Sequence, residues 1–340
     1  MGNRKLSKRQ QERIQSIQNR RREKAESKKI LDEKALESLD GLGPETSGTV
    51  VTNYGSQVDI EGGSAPFIGQ IVRCFVRANI PSLVTGDKIV WRPAEPQGVV
   101  VALEPRESEL IRPDNYGKLR PVAANIDRIG VVFAVQPAPQ SNLLDRYLVA
   151  AEAQGIEPFL VLNKTDLLDQ QVDSTVDSIV QIYTSIGYEV ICVSAENNDG
   201  TDDLKAYLNK RSCIFVGQSG VGKSSIINQL VPDNNSAVGP LSDATNEGTH
   251  TTTASKLIHL DNGGVIIDSP GIREFSLTHL NQEAIINGFK DFRPFLGYCK
   301  FRDCKHESDE GCALVAAVAA GKLQQQRLDN YRQIIRSLDN

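Results

Sequence analysis

Eight consecutive residues, Gly217-Gln218-Ser219-Gly220-Val221-Gly222-Lys223-Ser224, satisfy the pattern G-x-x-x-x-G-K-[ST] at every fixed position. Glycines at 217, 220 and 222 let the backbone turn its N–H groups inward around phosphate oxygens. An apolar run at 213–216 reads as the buried strand before the loop, and 224–230 as the helix after it. The start of that helix adds a dipole that favours an anion. Lys223 is expected to reach β- and γ-phosphates, the Ser224 hydroxyl to ligate Mg²⁺, and Ser225 to complete the nucleotide-binding set.

Upstream of this loop, Asn163-Lys164-Thr165-Asp166 follows the apolar run 158–162, at the carboxyl end of a predicted strand, where ligands of parallel sheets bind. Guanine presents N1–H and N2–H₂ side by side, and the Asp166 carboxylate can accept both; adenine offers no such pair. Asn163 is expected to add amide hydrogen bonds, with the Lys164 stem along the base. In most GTP-binding proteins the phosphate loop opens the domain and the base-reading tetrapeptide follows. The inverted order resembles a circularly permuted GTPase.

Weaker pieces fall into place around these two. Ser194-Ala195-Glu196, after the apolar run 190–193, is similar to a second base-contacting motif, although an ordinary strand-to-helix turn reads equally well. Asp268-Ser269-Pro270-Gly271 resembles the D-x-x-G switch that holds Mg²⁺ through water and senses the γ-phosphate. Between them, the run 248–253 offers hydroxyls for the metal, Thr251 and Thr252 being the better candidates, with no choice made between them. Short β-rich runs at 129–135, 159–162, 190–193, 213–216, 256–260 and 265–268 alternate with amphipathic segments at 143–153, 172–186 and 202–209. That alternation predicts an α/β fold with a mostly parallel sheet.

Cys299, Cys304, His306 and Cys312 supply four ligands spaced C-x₄-C-x-H-x₅-C, enough for one closed, structural tetrahedral zinc site. Four protein ligands leave no position for a catalytic water. The other cysteines, Cys74, Cys192 and Cys213, sit in apolar runs and are expected to be small core residues in a reducing compartment. The segment 314–338 reads as helical, with Gly321 as a break.

Residues 1–30 carry eleven Lys or Arg against three acidic residues, so the remainder holds −13 of a chain whose total is −5. Positive charge segregated in this way suggests an arm for a polyanion such as RNA; a solvated tail without a partner is the alternative. From 49 to about 111, β-branched runs recur between Gly and Pro turns, which suits a small barrel, OB-like by preference and SH3-like as the rival. Tyr54, Phe67, Phe75 and Trp91 could stack bases, but alternating aromatics are more often core. The Pro-rich passage 104–121 is expected to be a linker. Neither a targeting peptide nor a run of transmembrane length is found, and a soluble, cytoplasmic protein is expected.

Basic arm (1–44), OB-like β-barrel (45–112), circularly permuted α/β P-loop GTPase (113–280) and mainly helical zinc-binding domain (281–340), in that order, resemble the bacterial small-ribosomal-subunit-dependent GTPase family. The resemblance implies subunit-stimulated hydrolysis of GTP to GDP, action late in small-subunit maturation, and release afterwards. It implies the small subunit and its rRNA as partners, Mg²⁺ with GTP, one structural zinc, no membrane, and a monomer. Ile272 follows Gly271, where Ras-like enzymes place a water-orienting glutamine. His250 is the candidate catalytic residue, against its reading as an exposed loop histidine; Arg273 is a weaker candidate for stabilising charge. A permuted GTPase of the large subunit would share the nucleotide chemistry without this barrel and zinc pattern. A purely RNA-binding module would leave Lys223 and Ser224 without purpose.

Overall fold

A computed structural model describes residues 42–114, 116–168, 174–231, 255–269, 277–307 and 309–338. The expected basic arm lies almost wholly outside the described residues. Contacts divide the chain into two units: described residues 42–49, 54–83 and 88–104 form one, and 50–53, 84–87 and the chain from 105 onward form the other.

The first unit is built on strands β1 (Thr46–Asn53), β2 (Gln57–Gly62), β3 (Ile71–Val76), β4 (Lys88–Arg92) and β5 (Gly98–Leu103). They follow the order β1-β2-β3-β5-β4, and a β1–β4 pairing closes the ring. With β3 and β5 parallel, this is the OB arrangement rather than the SH3-like one. Strict alternation along β2 turns Val58 and Ile60 inward. Trp91 fills the centre of the barrel, its indole N–H donating to the Ser47 carbonyl at 3.1 Å, with Phe67 packed edge-on at 5.2 Å. Trp91 is therefore core. Tyr54 is exposed, carries the Arg73 guanidinium over its ring at 4.5 Å and donates to Asp59.

The second unit opens with an antiparallel hairpin, β6 (Glu109–Pro113) and β7 (Leu119–Ala124). This corrects the linker reading of 104–121. Leu110, Ala123 and Ala124 are fully buried, and that gain outweighs the prolines. Pro121 is tolerated because it faces Ile111 at a register shift, where the Ile111 N–H turns to the Gln154 side chain at 2.6 Å.

Six further strands make the main sheet: β8 (Arg128–Ala134), β9 (Glu157–Asn163), β10 (Val190–Cys192), β11 (Ser212–Val216), β12 (Lys256–His259) and β13 (Val265–Asp268). Their order is β10-β9-β8-β11-β13-β12, parallel except for β12. The chain enters mid-sheet at β8, runs outward through β9 and β10, then returns to β11 on the other side of β8. The reversal between β8 and β11 is a topological switch point, the place where a crevice opens at strand ends. Cys74 and Cys213 are core, but Cys192 is exposed, which corrects its assignment: β10 is a three-residue edge strand that turns Ile191 inward and Cys192 outward.

Helices α1 (Ser141–Ala153), α2 (Ser174–Ile186), α3 (Thr201–Tyr207) and α4 (Lys223–Leu230) connect these strands. Beyond them come α5 (Gln282–Gly288), α6 (Ala313–Ala319) and α7 (Gln325–Leu338). Gly321, at φ +67°, separates α6 from α7. These last helices share one apolar core with α1, where Leu144 and Leu148 join Phe289, Phe292, Tyr331 and Ile334.

Candidate nucleotide site and metal cluster

The loop 217–222 leaves β11 and enters α4 at the switch point, as its sequence predicts. Two glycines are required by space as well as by φ. A methyl group on Gly217 would meet the Val132 carbonyl at 2.2 Å, and one on Gly222 (φ +91°) would meet Asn163 Nδ2 at 2.2 Å. Lys223 Nζ folds back to donate to the Gly217 and Gln218 carbonyls at 2.7 and 2.9 Å. Its ammonium thus lies within the curve of the loop. Ser224 and Ser225 are exposed in the first turn of α4.

Asn163-Lys164-Thr165-Asp166 ends β9 on the same sheet edge. Asn163 is buried and uses both ends of its amide inside the protein: Nδ2 donates to the Val221 carbonyl at 2.9 Å, and Oδ1 accepts from Ala195 N at 3.2 Å. It braces the phosphate loop against the Ser194-Ala195 turn. Lys164, at φ +62°, crosses to the loop, and its Nζ donates to the Gln136 and Gly220 carbonyls, each at 2.8 Å. Thr165 N donates to the Val193 carbonyl. Asp166 is exposed, with Oδ1 accepting from the buried Ser194 hydroxyl at 2.5 Å. Ser194 in turn accepts from Asn197 N. The carboxylate is therefore aimed by a fixed neighbour while its remaining lone pairs face solvent.

Asp268 ends β13. Burial raises its pKa and the nearby Lys223 ammonium opposes the rise, so a cation arriving beside it would favour the ionised form. Gly271, Ile272, Arg273, His250, Thr251 and Thr252 lie outside the described residues.

In the C-terminal segment, the ligand atoms of Cys299, Cys304, His306 and Cys312 lie within 4.8 Å of one another. His306 points Nδ1 at the three sulfurs, 3.6, 3.6 and 3.4 Å away. Burial lowers the His306 pKa, which keeps its imidazole neutral as ligation requires. The Cys304 thiol is pushed up to about 12 by burial and by its neighbouring thiols, a penalty that a bound cation would reverse. Ala313 N donates to Cys299 Sγ at 3.3 Å, and Arg332 Nε to the His306 carbonyl at 2.9 Å. Three thiols and one imidazole in this arrangement can hold a metal ion.

A family model described as RsgA GTPase matches residues 103–278. The chain belongs to the RsgA GTPase family. It is therefore a GTP-hydrolysing enzyme. The small ribosomal subunit biogenesis GTPase RsgA of Pseudomonas fluorescens Pf-5 is 49% identical over 341 residues, covering 99% of this chain and 98% of that relative. The protein of the same name from Ectopseudomonas mendocina ymp shows the same identity and coverage. Among solved structures, YjeQ from Thermotoga maritima superposes with a TM-score of 0.71 at 28% identity, over 87% of this chain and 99% of that one. YloQ, a circularly permuted GTPase, gives 0.68 at 28% identity over 89% and 96%.

For an RsgA GTPase, the motif spacing alone exposes the loop, the tetrapeptide and the cluster. What it misses are the braces. The role of Asn163 as an internal strut and the reach of Lys164 to Gly220 depend on β9 and β11 flanking β8, a neighbourhood no local pattern reveals. A second omission is a buried ion network behind α1. Arg327 (1% exposed) pairs with Asp145 (0%) and places Nη2 2.7 Å from Asp291 Oδ1; Tyr183 and Asn330 donate to Asp145 at 2.5 and 2.7 Å. Burial works against the Arg327 charge, and the two carboxylates hold its pKa raised. Those residues look like ordinary helix surface in the sequence.

Proposed function

We propose that this chain binds the small ribosomal subunit and acts late in its maturation, hydrolysing GTP to GDP and phosphate with subunit-stimulated turnover and release. The observation that carries this reading is the 49% identity, along 99% of the chain, to proteins named for small-subunit biogenesis, joined to an intact phosphate cradle at the switch point. The small subunit with its rRNA is the partner, and the protein works as a cytoplasmic monomer. No helix among the described residues is long and apolar enough to cross a membrane.

Site roles follow from position. The N–H groups of 217–222 and the Lys223 ammonium hold the β- and γ-phosphates, with Ser225 beside them. Asp166, aimed by Ser194, accepts from the guanine edge, and the Ser194-Ala195 turn lies beside the base. Ser224, Asp268 and either Thr251 or Thr252 would hold Mg²⁺, which would supply positive charge against the phosphates; Gly271 senses the γ-phosphate. His250 orients the attacking water in place of a glutamine.

The metal of the C-terminal cluster is zinc in a structural role. A tetrahedral ion with bonds of about 2.3 Å to sulfur and about 2.05 Å to nitrogen sets sulfur and nitrogen about 3.6 Å apart. The distances of 3.4–3.6 Å around His306 Nδ1 match that separation. The working parts are a basic arm, a barrel that ends with β5, the GTPase from the β6–β7 hairpin onward and the zinc-binding domain at 281–340.

The test is GTP turnover by the full-length protein, measured alone and with purified small subunits, large subunits or protein-free RNA. Acceleration by small subunits alone is expected. Equal acceleration by large subunits, or none by either, would sink the reading.

A further inference from the structure

Helix α7 contacts both the metal cluster and α1. On the metal side, Tyr331 stands edge-on to the His306 ring at 6.2 Å, and Arg332 donates to the carbonyls of His306 and Glu307. On the side facing α1, the adjacent residue Asn330 donates to Asp145 Oδ2 at 2.7 Å and to Ser141 Oγ at 3.1 Å, while its carbonyl accepts from Asn142 Nδ2 at 3.2 Å. One turn earlier, Arg327 pairs with the same Asp145. Ser141, Asn142 and Asp145 all lie in the first half of α1.

The chain that leads into α1 is tied to the phosphate loop. Lys164 Nζ bridges the carbonyls of Gln136 and Gly220, and Gln140 and Gln218 line one small cavity beside the loop. A single helical turn is stiff. A displacement of α7 at Tyr331 and Arg332 must therefore move Asn330 and Arg327 as well, or break their bonds to α1. Because Asp145 and Arg327 are buried, water cannot replace those bonds, so a displacement of α7 that breaks them is costly and one that keeps them carries the start of α1 with it. Linkage follows where each ligand binds one placement of α7 and α1 better than another.

We propose that occupancy of the Cys299–Cys304–His306–Cys312 cluster and nucleotide affinity at the phosphate loop are linked through α7, with Asn330 and Arg327 as the positioning residues that carry the linkage to α1. The inference rests on reading the phosphate loop as the nucleotide site. Linkage is reciprocal: the factor by which metal tightens nucleotide binding equals the factor by which nucleotide tightens metal binding.

Both factors are measurable on the full-length protein. A fluorescent GDP analogue is titrated into zinc-loaded and chelator-stripped protein, and zinc is titrated against a chromophoric chelator with and without saturating GDP. The loaded protein should bind GDP tighter by about fivefold or more, and GDP should raise zinc affinity by the same factor. The zinc titrations need no variant and start from folded protein, so they stand even if stripping or substitution disturbs folding. In Asn330→Ala each ligand should still bind alone while the factor falls towards one. A merely structural role for Asn330 would lower thermal stability and leave the factor intact, which would remove it as a carrier. Equal GDP affinity with and without zinc, together with zinc affinity indifferent to GDP, overturns the linkage alone. Failure of GDP to bind either form would sink the nucleotide reading and the linkage with it.

Discussion

At the phosphate loop the groups offered to a ligand are backbone N–H groups and the ends of exposed or half-buried side chains, Lys223, Ser224 and Asp166. Behind α1, the polar groups are wholly buried side chains, Asp145 and Arg327, from positions 182 residues apart. The first region keeps side-chain ends at the surface, and under the proposed function the carbonyls that hold Lys223 are traded for phosphate. In the second, every polar atom already has a partner, and exchange with water is closed off. Binding requires the first condition and a fixed frame requires the second. A substitution in one region should therefore lose affinity without stability, and in the other stability before affinity.

Asp145→Ala gives the sharpest break. It leaves the Arg327 charge buried with Asp291 alone and should destabilise the protein by about 3–5 kcal/mol, read from the urea midpoint at constant slope. Replacing Asp145 and Arg327 together by Leu and Met should cost much less, because no uncompensated charge is left. A double variant as unstable as the single one would contradict the account. Lys223→Ala should do the reverse, lowering GTP affinity by about a hundredfold, the worth of two charge-assisted hydrogen bonds, with the urea midpoint nearly unmoved. Unchanged affinity in a titration would show that the ammonium does not enter the cradle.

Asp166→Asn is expected to cost about tenfold or more in GTP affinity and to narrow the preference over ATP, because an amide cannot accept from both guanine donors. Competition between the two nucleotides measures it directly. The smallest effect concerns pH. Burial raises the Asp268 pKa, so protons compete with Mg²⁺ at higher pH than they would at an ordinary carboxylate. Mg²⁺-dependent nucleotide binding should therefore weaken as pH falls through the raised titration of Asp268, and Asp268→Asn should flatten that slope. A slope identical in the variant would assign the titration elsewhere.

Much of this was legible without coordinates because it is local. The eight residues of the phosphate loop, the tetrapeptide 163–166 and the four Cys and His residues each lie within a short stretch, the first two recognised by spacing and the last by ligand count. Permutation was readable too, from motif order alone. The strand 57–62 carried a clear alternation, Val58 and Ile60 between polar residues, that could have been read in advance. The hairpin 109–124 could not, since its prolines argue for a linker until the burial of Leu110 and Ala123 is known.

Residue type and spacing by themselves determined which atoms could meet phosphate, guanine or a metal, because those groups are set by short-range backbone geometry. Only the tertiary structure decided that Asn163 is a strut, that Lys164 clamps the loop before α1, and that α7 bears on both α1 and the metal cluster. The physical reason is distance along the chain: a hydrogen bond between residues 145 and 330 has no signature in either neighbourhood and exists only once the core between α1 and α7 has closed.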